Sequence, residues 1–291
     1  MASNVNSYAT LTELKAILGI TSTTDDTVMR KILEAASRSI ESYCNRRFYS
    51  TTETKYFDGA LTLWIPDLLS ITTLKTDEDG DGTFENTFQV ATAPVDYLLY
   101  GGGLEDSLNL YPKIRIEINP DGDYGSFANG VKKGVEIAGV WGYGDGTSAT
   151  PYVTDTTTAE VIDAGETAID VTSATNLSAG MTILVETEQM YITSITTNTL
   201  TVEKGVNGTT DAAHTYPNSV GKQIYYYRYP RDIMQACIDL SVALYQNRAK
   251  QGLQSERLGD YSYVVMGTSL GKGAIESILD DNIRSYKRMR F

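Results

Sequence analysis

The chain has 291 residues, of which 41% are hydrophobic and 21% charged, and 37 acidic against 24 basic residues give it a net charge of -13. This composition is typical of a globular protein, and the length suits about two domains. The acidic balance excludes a protein that binds the DNA backbone over its whole surface, because such binding needs many cationic contacts. It is compatible with a passage through which DNA slides without binding, since like charges repel.

No targeting or membrane segment is expected from the sequence. The first residues have neither the basic start nor the apolar run of a secretory signal. No stretch reaches the roughly 18 consecutive apolar residues of a membrane span. The two cysteines, Cys44 and Cys237, fall on the apolar stripes of predicted helices. This position favours buried, reduced thiols in a protein made in a cytosol, with a disulfide or a nucleophile as the alternatives.

Two helices are predicted at the start of the chain. Thr10 and Glu13 have the spacing of a capping box, and Gly19 ends the first helix. A longer helix follows from about Asp25 to Asn45. The residues predicted to face inward are Leu11, Leu14, Ile17 and Leu18 in the first helix, and Val28, Ile32, Ala35, Ala36, Ser39, Ile40 and Tyr43 in the second.

The middle of the chain is predicted to be β-rich. A Thr/Ser-rich stretch from Gly146 to Thr158 is interpreted as a linker, and a β module of alternating strand and turn residues follows from about Ala159 to Tyr226, with the size of a small barrel or sandwich. The strands predicted before the linker are Thr62–Ile65, Ile71–Lys75, Phe84–Val90, Asp96–Tyr100, Lys113–Ile118 and Val135–Trp141.

Helical periodicity returns after the β module. One helix begins near Pro230 and ends at Gly252, and after a polar loop a last helix runs from about Ala274 to Arg290. The predicted inward residues are Ile233, Ala236, Cys237, Leu240, Ala243 and Leu244 in the first of these helices, and Ile275, Leu279, Ile283 and Tyr286 in the second.

These elements predict an α+β fold. Each terminal helix has an apolar face that needs a partner, so the N- and C-terminal helices are expected to pack into a helical bundle. Residues 1–150 and 227–291 would then form a discontinuous core with a β-rich segment. Residues 151–226 would form an inserted all-β domain.

Four stretches resemble the head-tail connector, or adaptor, proteins of tailed phages. Together they cover roughly the first 150 and the last 65 residues, and their order along the chain carries the resemblance more than any single motif. In simpler members the second and third stretches are nearly adjacent, whereas here the linker and the β module separate them. The stretches are Tyr8–Ile20 with the helix that ends Ile40–Phe48, Gly134–Tyr143, Tyr229–Ala236, and Ser255–Ser262.

The resemblance implies a structural role without chemistry. Such a protein forms a ring of typically twelve copies under the portal at the head-tail junction of the virion. The ring extends the DNA channel, lets DNA pass without specific binding, and presents a docking surface for the next connector, stopper or tail protein. The alternative is a virion-surface or baseplate-type binding module whose β insert recognises a glycan or receptor.

One acidic loop has the opening of an EF-hand-type calcium site. Asp77, Asp79 and Asp81 alternate before Gly82, but Phe88 stands at the twelfth position, where a bidentate Glu is expected. The flanks are predicted strands, so a solvated turn is favoured over a bound cation. We therefore assign no metal or cofactor residue.

Nothing in the sequence favours an enzyme. His214 is the single histidine, it lies in a predicted loop, and neither cysteine is near it in sequence. A zinc site cannot be built from one His and two helix-face cysteines. With 37 acidic residues, some pair will always have a workable separation, so acid pairs carry no information. No catalytic residue is predicted.

The basic carboxyl end is the one local charge anomaly in this acidic chain. It is either a solvated helix end favoured by the helix dipole or a docking tail. The residues predicted to contact the portal or an adjacent subunit are Arg284, Tyr286, Lys287, Arg288, Met289, Arg290 and Phe291.

Overall fold

A computed structural model describes residues 6–89, 95–102, 110–215, 221–248, 255–258, 261–264 and 272–288. Within these ranges the protein is a mixed α+β structure, as predicted. The helices are α1 Leu11–Leu18, α2 Asp26–Cys44, α3 Arg231–Asn247 and α4 Lys272–Ile283, and α4 is followed by a 3-10 turn, Arg284–Tyr286. The strands are β1 Thr51–Phe57, β2 Thr62–Thr76, β3 Asn86–Thr87, β4 Tyr97–Gly101, β5 Lys113–Ile118, β6 Val135–Trp141, β7 Tyr152–Thr157, β8 Ala168–Asp170, β9 Thr182–Val185, β10 Glu188–Thr196, β11 Thr199–Glu203, β12 Gln223–Tyr227, β13 Ser255–Leu258 and β14 Tyr261–Val264.

The chain forms two compact units. The first contains Met1–Arg46, Val153–Val206 and Thr210–Phe291, and the second contains Arg47–Tyr152 with Asn207–Thr209. In the first unit the terminal helices are grouped with strands of the β module. The amide of Leu11 donates to the carbonyl of Ala179 at 3.2 Å, and the Thr182 hydroxyl donates to the Asn6 side chain at 2.7 Å.

Helices from both ends of the chain pack together in the first unit, where α2 contacts α3 and α3 contacts α4. The predicted capping box is present, since the Thr10 amide donates to Glu13 Oε2 at 2.9 Å and the Glu13 amide to Thr10 Oγ1 at 3.2 Å. Gly19 ends α1 with a φ of 67°, a left-handed conformation that glycine adopts without strain. Buried residues on the helices include Leu14, Leu33, Ile40, Ile233, Leu240, Leu279 and Ile283.

Two details of the predicted helix faces were wrong. Ile17, expected to face inward, is 57% exposed. On α2 the buried row is Met29, Leu33, Ala36, Ser37, Ile40 and Cys44, whereas Val28 is 43% exposed. The reason is that α2 carries two adjacent apolar rows, and periodicity alone does not tell which row the rest of the chain will cover.

The β module forms a six-stranded sheet in the order β7-β12-β9-β10-β11-β8. Backbone bonds also join the residues around the two end strands, from Thr172 N to Thr157 O at 2.9 Å and from Ala159 N to Asp170 O at 2.8 Å. The predicted linker was therefore partly wrong, because β7 lies inside it; threonine-rich segments also suit strands. Core residues of the module include Ile169, Val185, Met190, Leu200 and Ile224.

The second unit is built on a sheet in the order β1-β6-β2-β5-β4, with β3 paired to β2. β5 and β6 have the predicted bounds. The two predicted strands on either side of Pro66 are one strand, β2, whose pairing with β5 shifts register between Trp64 and Leu68. Such an irregularity accommodates a proline within a strand. The core of this unit includes Leu63, Ile65, Phe88, Ile116, Phe127, Ile137 and Trp141.

Two further elements were missed. β1 was not predicted, and the polar loop before the last helix contains the hairpin of β13 and β14. That helix ends at Ile283 and gives way to a 3-10 turn instead of continuing to Arg290. Among the described helices, none is long and apolar enough to span a membrane.

Candidate functional site

The basic carboxyl end is the predicted contact segment, and its described part lies against its own helices. The Arg288 amide donates to the Cys44 carbonyl at 2.8 Å. Lys287 Nζ lies 4.7 Å from the centre of the Tyr43 ring, at the carboxyl end of α2. The Tyr286 hydroxyl donates to Asp232 in the first turn of α3 at 3.4 Å.

These contacts hold the backbone of the segment while leaving charge at the surface. Arg284 and Lys287 are exposed, and Tyr286 and Arg288 are half-buried. The other predicted contact residues, Met289, Arg290 and Phe291, lie outside the described residues. A basic group at this position can pair with a carboxylate of another protein.

The acidic loop between β2 and β3 brings its carboxylates together. Asp77, Asp79, Asp81 and Glu85 each place one oxygen within 4.8 Å of the others. The loop is also a self-contained turn. The oxygens of Asp77 accept hydrogen bonds from the Gly80 amide at 2.6 Å and the Gly82 amide at 2.8 Å.

These amides determine the acidity of Asp77. Burial alone would raise the pKa of Asp77, but the bonds from the backbone amides, led by those of Gly82 and Gly80, hold it below its ordinary value. Phe88, at the twelfth loop position, is a core residue that packs on Tyr124 and Phe127. The arrangement therefore has a structural explanation as a turn between two strands, and strands do flank it.

A buried charged cluster lies in the β module, where the sequence had predicted a loop around His214. His214 is 2% exposed, and its two ring nitrogens face two carboxylates. Nδ1 lies 2.8 Å from Glu186 Oε2, and Nε2 lies 2.6 Å from Glu188 Oε2. Glu188 is 1% exposed and also accepts from the Gly205 amide at 2.9 Å.

Lys204, which directly follows β11, is the other cation of this cluster. Its side chain is 3% exposed, and Nζ lies 2.8 Å from Asp211 and 3.8 Å from Glu188. Two side-chain hydrogen bonds, first that with Lys222 and then that with His214, lower the pKa of Glu186. Because the charges of the cluster offset one another inside a small module, its chemistry is that of a structural ion-pair network.

The cysteines lie on the buried faces of α2 and α3, as predicted, and both are free thiols. Burial raises the pKa of Cys44 to about 12 and also raises the pKa of Cys237. The polar groups beside Cys237 include the Ser37 hydroxyl at 3.5 Å and the Leu33 carbonyl at 3.8 Å. Both thiols are buried, so neither has the accessible surroundings of a nucleophile.

No pattern in the sequence predicts the His214 cluster. Its members are scattered over Glu186, Glu188, Lys204, Asp211 and His214, and only strand pairing brings them together. The burial of Glu188 could not be anticipated, since glutamate is usually exposed.

Residues 8–79 match a family model described as phage gp6-like head-tail connector protein. No curated protein matches the chain. A solved structure described as "Neck of empty GTA particle computed with C6 symmetry" covers 97% of this chain and 90% of its own, at 14% sequence identity and a TM-score of 0.36.

The match over residues 8–79 indicates a structural, non-enzymatic role as a connector in a phage virion. The family predicted from the sequence, the head-tail connectors of tailed phages, is confirmed through residues 8–79. These residues include α1, α2, β1 and β2, and therefore contribute to both compact units.

Proposed function

We propose that this protein is the head-to-tail adaptor of a tailed phage, assembled as a ring of twelve copies beneath the portal. The ring extends the DNA channel and presents a surface for the next connector, stopper or tail protein. It is made in the cytoplasm of the host bacterium and acts at the head-tail junction. The match of residues 8–79 to the connector family is the observation that carries this proposal.

The charge of the chain supports a channel role. A net charge of -13 repels the DNA backbone, so DNA can move through the ring without being retained by specific contacts.

The carboxyl end is the proposed docking segment for the portal or an adjacent subunit. Its basic residues, Arg284, Lys287, Arg288 and Arg290, would pair with carboxylates, and Met289 and Phe291 would bury apolar surface. Tyr286 bonds to α3 and Arg288 bonds to α2, and these bonds support a segment whose first residues are held in place on the helices.

Residues 151–226 are proposed to be an insertion relative to simpler connectors, one that faces away from the channel. The bonds between the residues that follow β7 and those around β8 support a closed barrel for this module. The packing of α2, α3 and α4 supports a bundle of the terminal helices.

The decisive experiment is an image reconstruction of the particle with an antibody fragment against the chain. We expect density at the portal vertex, in a ring between the portal and the tail. Labelling at the baseplate or over the head surface would overturn the adaptor assignment.

A further inference from the structure

Basic side chains converge in the first unit, where the residues before α3 meet the 3-10 turn after α4. Arg228 and Arg231 line the same recess, a cavity of about 260 Å³. Asp232, the next residue of α3, accepts a hydrogen bond from the Tyr286 hydroxyl at 3.4 Å, so the turn that begins at Arg284 lies beside α3. We call the four exposed cations of this region the basic surface: Arg228, Arg231, Arg284 and Lys287.

Two cations of the basic surface are left without an acidic partner by the described part of the chain. Neither Arg231 nor Arg284 pairs with a carboxylate there. The neighbouring carboxylates have other partners, since Asp232 accepts from Tyr286, and Glu41 pairs with Arg38. Exposed arginines of this kind are suited to a carboxylate of another molecule, which a guanidinium binds through two parallel hydrogen bonds.

The acidic loop between β2 and β3, in the second unit, carries the opposite charge. Between Thr76 and Phe88 the sequence has five acidic residues and no basic one: Asp77, Glu78, Asp79, Asp81 and Glu85. All but Asp77 are exposed. Among the residues that the structure describes, none of these carboxylates pairs with a lysine or arginine. Because like charges at short distance repel, a basic surface that covered the loop would stabilise it.

We propose that the acidic loop of one copy docks on the basic surface of the next copy in the ring. This inference rests on the proposed ring, and it names the two surfaces by which neighbouring copies meet. A closed ring is built from heterologous contacts, in which each copy presents two different and complementary surfaces. The chain has one such surface in each of its compact units.

Charge complementarity favours a second copy as the partner of both surfaces. Each copy has a net charge of -13, so copies repel one another wherever their acidic surfaces meet. Opposed charges at one place fix the register in which two copies approach and disfavour other arrangements. The recess between Arg228 and Arg231 gives a carboxylate of the neighbour two guanidinium groups to bind.

Charge reversal in the full-length chain tests the contact. Arg231→Glu and Asp79→Lys each place like charges on it, and each should lower the fraction of portal-containing heads that carry a ring by a factor of about ten. The combined variant, with both changes in one chain, has opposite charges again and should recover most of the rings. Electron microscopy of the heads measures the three fractions.

Two reversals of exposed charges elsewhere are the matched controls. Lys31→Glu changes an exposed residue of α2, and Asp121→Lys changes an exposed residue of the second unit. Both should assemble as the wild type does. Circular dichroism and thermal unfolding should show a wild-type fold and Tm for every variant, because each changed side chain is exposed.

Cross-linking tests the same contact without reversing a charge. Arg231→Cys and Asp79→Cys each add one exposed thiol, whereas both native cysteines are buried. In rings assembled from a mixture of the two variants, a bifunctional maleimide should join one kind of chain to the other. Rings of either variant alone should give roughly tenfold fewer covalent dimers, because a heterologous contact does not bring two equivalent residues together.

The outcomes separate the contact from the proposed function. If wild-type rings form at the portal vertex while both reversals assemble normally, or while the combined variant recovers no rings and the mixed chains are not cross-linked, the contact is wrong and the adaptor function stands. If Arg231→Glu rings form but detach from the portal, the basic surface faces the portal and not a second copy. If the wild type forms no ring at the portal vertex, the proposed function itself fails.

Discussion

His214 and Glu188 form a buried pair, with Nε2 and Oε2 2.6 Å apart and both residues at most 2% exposed. In His214→Ala, Glu188 loses this partner, although the Gly205 amide and Lys204 still lie beside it. Loss of a buried hydrogen bond that leaves its partner incompletely satisfied typically costs about 1–3 kcal/mol. We expect a loss of that size in the free energy of unfolding of the first unit, measured by urea denaturation.

Glu186→Gln is the control for that change. Glu186 faces the same imidazole but is 45% exposed, so its loss should cost about 1 kcal/mol or less. Equal losses of stability in the two variants would show that the buried contact of Glu188 contributes no more to the free energy of unfolding than the exposed contact of Glu186.

Cys44 and Cys237 should be inert in the folded protein. Burial raises the pKa of both thiols, that of Cys44 to about 12, so little thiolate is present at neutral pH. Ellman's reagent at pH 8 should label neither residue in the native state and both after denaturation. Rapid labelling of native protein would contradict the packing of α2 against α3.

Asp77→Asn should destabilise the turn between β2 and β3, because the amides of Gly80 and Gly82 would lose a charged acceptor. The pKa of Asp77 is lower in the folded state than its ordinary value of 3.8. Its contribution is therefore fully present above the unfolded-state pKa and is lost as the pH falls through the folded-state pKa. The stability difference between wild type and variant should be constant near neutrality and shrink below about pH 4.

Asp79→Asn is the matched variant for that experiment. Asp79 is exposed and accepts one bond within the loop, from the Asp81 amide at 3.1 Å. Its effect on the unfolding midpoint should be smaller at every pH. A larger effect than that of Asp77→Asn would refute the assignment of Asp77 as the acceptor that organises the turn.

Truncation after Ser285 removes the residues from Tyr286 onward and so tests the docking segment. The helices keep their packed faces, so the far-ultraviolet circular dichroism should match that of the full chain. Incorporation into portal-containing heads should fall, because the basic and apolar contacts are gone. If the truncated protein assembles as well as the full chain, this segment is a solvated helix end and not a docking segment.

The isolated protein should not bind duplex DNA strongly at physiological salt. With a net charge of -13 it has too few cations to release the counterions of the phosphates. Fluorescence anisotropy with a labelled duplex should show no submicromolar binding. Tight binding that weakens with added salt would point to a basic surface that retains DNA.

Local features of the fold could be read from the sequence because they depend on residues close together in the chain. Thr10 and Glu13 form the capping box that their spacing predicted, and β5 and β6 have the predicted bounds. The buried positions of Cys44 and Cys237 followed from helical periodicity in the same way. The family resemblance, which a match over residues 8–79 confirmed, also needed only the order of short segments.

Only the tertiary structure decided which surfaces were covered. Val28 and Met29 stand on neighbouring apolar rows of α2, and the sequence could not tell that α3 would cover the row of Met29. His214 became buried because strand pairing carried Glu188 to it across the module. The grouping of the terminal helices with the β module likewise depends on bonds such as Thr182 to Asn6, between residues far apart in the chain. Periodicity states that a face is apolar, but burial depends on which distant segment arrives to cover it.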